Sequence, residues 1–198
     1  MIFAEPIQIT QRIVQEFIRL DIRYLVGGSL ASSLHGIPRA THDVDIVAEI
    51  TYEHIPFLVQ ALEAEFYIDA DMIREAIQRR SSFNVIHLAT MFKVDIFILK
   101  TDSASQEEMA RREQYHIADD PDQPIFLATA EDVVVHKLYW YQLSGGISER
   151  QWSDVLGVLQ VQQEQLDRTY LERAAQQRGV SDLLEQALRE SDKEEMSE

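Results

Sequence analysis

Cysteine is absent from this sequence, which excludes disulfides, cysteine nucleophiles and cysteine-ligated metal centres. Any metal ion would have to be held by Asp, Glu or His, and oxygen ligands favour magnesium or manganese. Long apolar runs are also absent, since no stretch approaches the roughly 18 to 20 residues that cross a bilayer. The start, MIFAEPIQITQR, lacks the basic and apolar segments of a signal peptide. We therefore expect a cytoplasmic protein with no membrane partner.

Basic residues are scarce, with 18 Lys and Arg against 34 Asp and Glu, for a formal net charge of -16. Proteins that coat nucleic acid neutralise phosphates with many cations, so this balance argues against nucleic-acid binding through overall charge. An RNA partner would require a separate basic groove. The 45% hydrophobic content is enough for a sizeable core.

Residue periodicity predicts short strands among helices in the first part of the chain, followed by helices alone. A capping box at Ser105 is expected to open one helix, and DDPDQP at 119–124 is expected to form a loop. This pattern predicts an α+β fold with a small mixed sheet flanked by helices. We expect a catalytic domain at 1–127 and a C-terminal helical subdomain at 128–198, with helices at about 130–143, 149–163, 168–178 and 182–190.

Two aspartates, Asp43 and Asp45, interrupt the otherwise apolar strand DVDIV. Aspartate is a poor strand former, and an ionised carboxylate facing a core is costly without compensation. Alternate strand residues share a face, so these two carboxylates converge. A third, Asp95, interrupts KVDIFIL; if this strand is a neighbour, the three aspartates are candidate catalytic residues and candidate ligands for one or two divalent ions.

A glycine turn precedes the paired aspartates. Gly27, Gly28 and Ser29 lie between a strand and a helix, where backbone N–H groups can face a phosphate. Arg39 follows and either clamps a phosphate or pairs with a nearby carboxylate.

The predicted helices carry further charged candidates. Lys137 lies within a largely apolar helical patch, so its ammonium either snorkels to solvent or reaches a cleft and binds phosphate. Arg150 and Asp154 are one helical turn apart and are expected to form a surface ion pair that braces the helices.

The motifs GGS, PRATHDVDIV and FKVDIFI together resemble nucleotidyltransferases of the polymerase-beta type. The long interval from Ser29 to Asp43, with Lys137 and the later Arg150 and Asp154, is more similar to the AbiEii group of abortive-infection toxins. The resemblance covers roughly residues 22–165 and implies a nucleotidyltransferase-like fold.

The resemblance also implies site roles. The Gly-Ser turn, with Lys137, would bind a nucleoside triphosphate, while Asp43 and Asp45 would coordinate Mg²⁺ or Mn²⁺. Asp95 would bind metal or activate the acceptor hydroxyl. The implied activity is transfer of a nucleoside monophosphate from an NTP, in a toxin-antitoxin or phage-defence setting, with tRNA as an acceptor and a cognate antitoxin as a protein partner.

Two alternatives stay open at this point. The same site could transfer a nucleotide to a small molecule or to a protein side chain, which needs no nucleic-acid groove. The chain could also be a non-catalytic nucleotide-binding or partner-binding module of the same fold.

Overall fold

A computed structural model describes residues 4–117 and 120–195. The strands in these ranges form one mixed sheet with the order β3-β4-β5-β2-β1-β7-β6. The strands are β1 (Tyr24–Val26), β2 (Asp43–Ala48), β3 (Phe66–Tyr67), β4 (Ser82–His87), β5 (Lys93–Ile98), β6 (Glu113–Ile117) and β7 (Asp120–Leu127).

As predicted, strands lie among helices in the first part of the chain and helices follow after residue 127. The mixed fold class is thereby confirmed. Within the described ranges, no helix has both the length and the hydropathy required to cross a membrane. The helices are α1 (Ala4–Arg19), α2 (Gly28–His35), α3 (Ile55–Leu62), α4 (Ala70–Arg79), α5 (Ser103–Arg111), α6 (Ala130–Leu143), α7 (Glu149–Gln162), α8 (Arg168–Arg178) and α9 (Ser181–Glu195).

The central strands β2 and β5 run parallel and in register. Their residues alternate strictly between buried and half-buried positions. The buried face carries apolar side chains. Helices α1 and α4 pack against the sheet, and α3 packs against both of these helices. The half-buried face carries the aspartates, so the two-residue strand period separates the core from the acidic side chains.

The loop predicted at 119–124 is wrong. Asp120 to Pro124 lie in β7, which pairs antiparallel with β6; Asp119 lies outside the described residues. A bulge between Tyr115 and Ile117 and the short contact of β7 with β1, at Leu127, explain why prolines are tolerated there. The prolines predict a loop by composition alone. They fit into this strand because it is paired on only one side over most of its length.

The start of α5 also differs from the prediction. Its N-cap is Asp102, whose carboxylate accepts a hydrogen bond from the Ser105 amide at 3.0 Å. Aspartate is at least as good an N-cap as serine, and the helix therefore begins three residues earlier than the capping box at Ser105 predicts.

The chain divides into two compact units. One contains Met1–Leu30 and Ala40–Leu127, and the other contains Ala31–Arg39 and Ala128–Glu198. The sequence placed a single division after residue 127, whereas residues 31–39 belong with the helices that follow that point. Independent domains at 1–127 and 128–198 stay a prediction.

Within the second unit, the segment 31–39 is fastened to the helices. The His35 ring bonds to the Ala128 carbonyl at 2.8 Å, and the Gln162 amide donates to the His35 carbonyl at 2.6 Å. A Cβ at Gly36 would lie 2.7 Å from the backbone nitrogen of Val158. Only glycine permits this approach, since the opposing atom belongs to the helix backbone.

We expect Gly36→Ala to lower the free energy of unfolding by about 1–3 kcal/mol, because the added methyl group forces the segment away from α7. Chemical denaturation measures this change. Gly27→Ala is the matched control, since a Cβ at Gly27 meets nothing within 4 Å. Equal stability of the Gly36 variant and the wild type would contradict the close packing.

Candidate functional site

The three aspartates predicted as catalytic lie on two adjacent strands. Asp45 and Asp95 are direct partners in the parallel pair of β2 and β5, and Asp43 is the partner of Lys93. Neighbouring strands are about 4.8 Å apart, so the side chains of Asp45 and Asp95 leave the sheet side by side. Asn84 of β4 is the partner of Asp95 on its other side. The sheet thus presents a polar row across three strands.

The glycine turn lies against this row. The Gly27 amide donates to the Asp45 carbonyl at 2.9 Å, so this N–H is already used by the sheet. Gly28 has a φ of 58° and opens α2. An added Cβ at Gly28 would lie 1.8 Å from Asp45 Oδ2, so the Asp45 carboxylate occupies the space that any other residue would fill.

A lysine that is not among the predicted site residues lies among the acidic groups. Lys93 Nζ is 2.5 Å from Asp95 Oδ2. Its hydrogen bond to Asp95 raises the pKa of Lys93, and the charges of Asp95, Asp43 and Asp45 add to the increase while desolvation opposes it. All three carboxylates therefore act on one ammonium group. The sequence carries one sign of this placement: Lys93 lies two residues before Asp95 and therefore on the same face of the strand.

The chemistry of these side chains fits a divalent cation. The donors are hard carboxylate oxygens, and they already attract a cationic group, the Lys93 ammonium. In their present arrangement, however, residues 4–117 and 120–195 contain no group of three or more acidic or histidine side chains that could hold a metal ion. The residue types and their negative charge therefore fit a divalent cation. In this arrangement Asp95 bonds to Lys93.

Arg39 and Lys137, predicted to bind nucleotide, meet in the second unit. Arg39 donates to both carboxylate oxygens of Asp154, from Nε at 2.6 Å and from Nη2 at 2.7 Å. Lys137 Nζ donates to Asp154 Oδ2 at 2.7 Å. Lys137 is only 5% exposed, which excludes snorkelling.

The surface pair predicted for Arg150 and Asp154 is wrong in its description of Asp154. This carboxylate is buried and bonds to cations from two distant parts of the sequence, 115 and 17 residues away. Helical spacing relates residues only within one helix, so it could not reveal these partners.

The Arg39–Asp154–Lys137 cluster holds more positive than negative charge. Burial raises the pKa of Asp154, but the Arg39 hydrogen bond and the Lys137 charge outweigh this effect and leave the pKa below its ordinary value. Burial lowers the pKa of Lys137, and Asp154 only partly counters it; Arg39 and Arg150 lower it further. Arg39 and Lys137 therefore repel one another, while both stabilise the ionised form of Asp154.

No protein-family model matches this sequence, and no curated protein matches it. Several solved structures are similar. An antigenic nucleotidyltransferase-like protein from Paracoccidioides brasiliensis is 17% identical, with a TM-score of 0.53, over 92% of this chain and 91% of that chain. The antibiotic-resistance factor ANT(2'')-Ia, in complex with adenylyl-2''-tobramycin, is 13% identical, with a TM-score of 0.56, over 88% of this chain and 97% of that chain.

The solution structure of ANT(2'')-Ia is also similar, at 13% identity and a TM-score of 0.54 over 91% of this chain and 96% of that chain. These likenesses confirm the nucleotidyltransferase fold that the motifs implied. The kinship to AbiEii toxins and the roles of the individual site residues stay predictions.

We expect Asp154→Asn to lower the free energy of unfolding by about 3–5 kcal/mol near neutral pH, because it leaves two cations without their buried anion. The pKa of Asp154 is below its ordinary value of 3.8, so its stabilisation is complete above that pH and is lost as the pH falls through the lowered pKa. The difference between variant and wild type should therefore shrink in acid, as urea denaturation at several pH values would measure.

Glu149→Gln is the control, since Glu149 is an exposed carboxylate on the same helix as Asp154. A loss of stability in the Asp154 variant that stays constant down to the most acidic conditions tested would contradict an ionised, paired Asp154.

Proposed function

We propose that this protein is a metal-dependent nucleotidyltransferase that moves a nucleoside monophosphate from an NTP to an acceptor hydroxyl. The observation that carries the proposal is the contact of Gly28 with Asp45, beside the in-register Asp95, within a nucleotidyltransferase fold. Here a turn suited to phosphates directly adjoins carboxylates suited to cations.

The proposed triphosphate site is the start of α2. The first amides of a helix lack acceptors within the helix, and the helix dipole places positive potential there. Gly28 and Ser29 occupy this position. The positive φ of Gly28 forms the turn into the helix, and its lack of a side chain leaves the space that the Asp45 carboxylate occupies. Gly27 contributes the turn rather than a donor, since its amide bonds to Asp45.

Asp43, Asp45 and Asp95 are the residues that would hold Mg²⁺ or Mn²⁺. When bound, such an ion neutralises the negative charge that develops on the attacking and leaving oxygens. Asp45 touches the proposed phosphate turn and Asp95 is its neighbour on the sheet, so the proposed cation ligands adjoin the proposed triphosphate site.

The proposed reaction is an in-line displacement. The acceptor oxygen forms a bond to the α-phosphorus, the bond from that phosphorus to the pyrophosphate oxygen breaks, and pyrophosphate leaves. The hydroxyl proton passes to a base, for which Asp95 is the candidate. The protein contributes mainly positioning and electrostatics.

Arg39 and Lys137 remain proposed phosphate ligands. Their support is that two cations meet at the Asp154 carboxylate and repel one another, a repulsion that a triphosphate would reduce. Both side chains are held by the same carboxylate and are therefore preorganised for an anion.

The acceptor that the sequence resemblance favours is tRNA, in a toxin-antitoxin or phage-defence setting with an antitoxin partner. We keep tRNA as the first candidate acceptor. We also propose a cytoplasmic location, where NTPs are available. The net charge of -16 is the main argument against a large RNA acceptor.

A small-molecule acceptor is the second candidate, and two observations favour it. The acidic composition needs no special groove when the acceptor is small or cationic. The similar ANT(2'')-Ia was solved with adenylyl-2''-tobramycin, a small nucleotidylated compound.

Incubation of the protein with each α-³²P-labelled NTP, Mg²⁺ and cell extract would test the proposal. Labelled RNA, labelled protein and labelled small molecules identify the three acceptor classes. Absence of transfer with all four NTPs, by folded protein, would favour the non-catalytic module.

We expect Asp45→Asn to reduce label transfer by a factor of about 10²–10³ or more while leaving the fold intact, because it removes charge from the cation site without changing side-chain volume. Circular dichroism checks the fold. Asp71→Asn is the control, since the Asp71 side chain is 90% exposed on α4. Full transfer by the Asp45 variant would refute the site assignment.

We expect Gly28→Ala to lose most transfer activity as well, because the new Cβ collides with the Asp45 carboxylate and the positive φ is strained for alanine. Gly27→Ala, for which the space is open, should lose much less. Initial rates and thermal melting of both variants separate a local effect from unfolding. Equal rates for the two variants would argue against the proposed turn.

A further inference from the structure

The Lys93 ammonium lies in the field of all three candidate metal ligands, Asp43, Asp45 and Asp95. Its ammonium is 2.5 Å from Asp95 Oδ2, and it stands opposite Asp43 in the strand register. Lys93 and Asp95 are two residues apart on one strand, so both side chains leave the same face of the sheet. The side chain of Lys93 is 41% exposed and has room to move away.

We propose that Lys93 is an internal counter-cation of this carboxylate site, which a divalent ion must displace from Asp95 before Asp95 can serve the reaction. The proposal rests on the proposed function in one respect, that the three carboxylates form the metal site. It adds a residue that competes with the metal and sets how much divalent ion the site requires.

The physical argument begins with repulsion. Carboxylates on adjacent strand positions destabilise one another unless a cation lies nearby. Lys93 supplies that cation to the metal-free protein, in contact with Asp95. A divalent ion brings twice the charge and accepts several oxygen ligands, so it replaces one ammonium favourably. The cost of breaking the Lys93–Asp95 contact is subtracted from the affinity for metal.

Asp95 Oδ2 is turned to the Lys93 ammonium rather than left open to an ion. On this view, release of Lys93 frees a ligand, and the displaced ammonium becomes available to phosphate oxygens.

Binding of Mn²⁺ alone, without nucleotide, tests the proposal. We expect Lys93→Met to bind Mn²⁺ about tenfold or more tightly than the wild type, as measured by electron paramagnetic resonance of free Mn²⁺. Lys93→Arg keeps the charge and should remain close to the wild type. Lys100→Met removes the same charge from an exposed position just after β5 and should also change the affinity little.

Thermal melting supplies a second readout. Metal-free Lys93→Met should melt below the wild type, because the carboxylates repel one another, and Mn²⁺ should raise its melting temperature more than that of the wild type. The larger metal-induced shift distinguishes a loss of competition from a simple loss of stability.

Unchanged or weaker Mn²⁺ binding by Lys93→Met would overturn the proposal, and so would undetectable binding by both proteins. Equal tightening in Lys100→Met or Lys93→Arg would also overturn it, since the effect would then come from net charge or from side-chain shape. Tightening without label transfer by the wild type would refute the proposed function alone. Transfer with unchanged Mn²⁺ affinity would refute the role of Lys93 alone.

Discussion

Electrostatic repulsion between the aspartates of β2 and β5 is the constraint around which the candidate site is organised. The register places Asp45 beside Asp95 and Asp43 beside Lys93 on a half-buried face. Carboxylates held this closely require positive charge or N–H dipoles in their vicinity. The lysine at Asp95 and the helix start beside Asp45 supply both. In the proposed function, a divalent cation would replace the lysine at Asp95, and a phosphate would bind at the helix start.

The second unit shows the same principle with the signs reversed. Lys137 is buried, and its charge is tolerated because Asp154 accepts a hydrogen bond from it. Arg39 bonds to the same carboxylate, so two cations are held by one anion. In each cluster, side chains of like charge lie close together around a group of opposite charge. Like charges held this closely are costly for stability, and such clusters are common where proteins bind charged substrates.

The helices of the second unit and most strands could be predicted from the sequence, because periodicity and caps are local signals. The aspartates were recognisable for the same reason, since an acidic residue inside an apolar strand contradicts the local pattern. The hairpin of β6 and β7 was missed because Pro121 and Pro124 indicate a loop locally, while pairing on one side allows a strand. Lys93 was passed over because a lysine at a strand start is ordinary by itself.

The sequence alone therefore determined the succession of helices after residue 127, the shared face of Asp43 and Asp45, and the glycine turn, since each depends on residues a few positions apart. Only the tertiary structure decided that Asp95 stands beside Asp45, that Gly28 leaves space for the Asp45 carboxylate, and that Asp154 joins Arg39 to Lys137. These contacts join residues from 17 to 115 positions apart. They depend on strand register and helix packing. Both are set by the folding of the whole chain and cannot be predicted from residues a few positions apart.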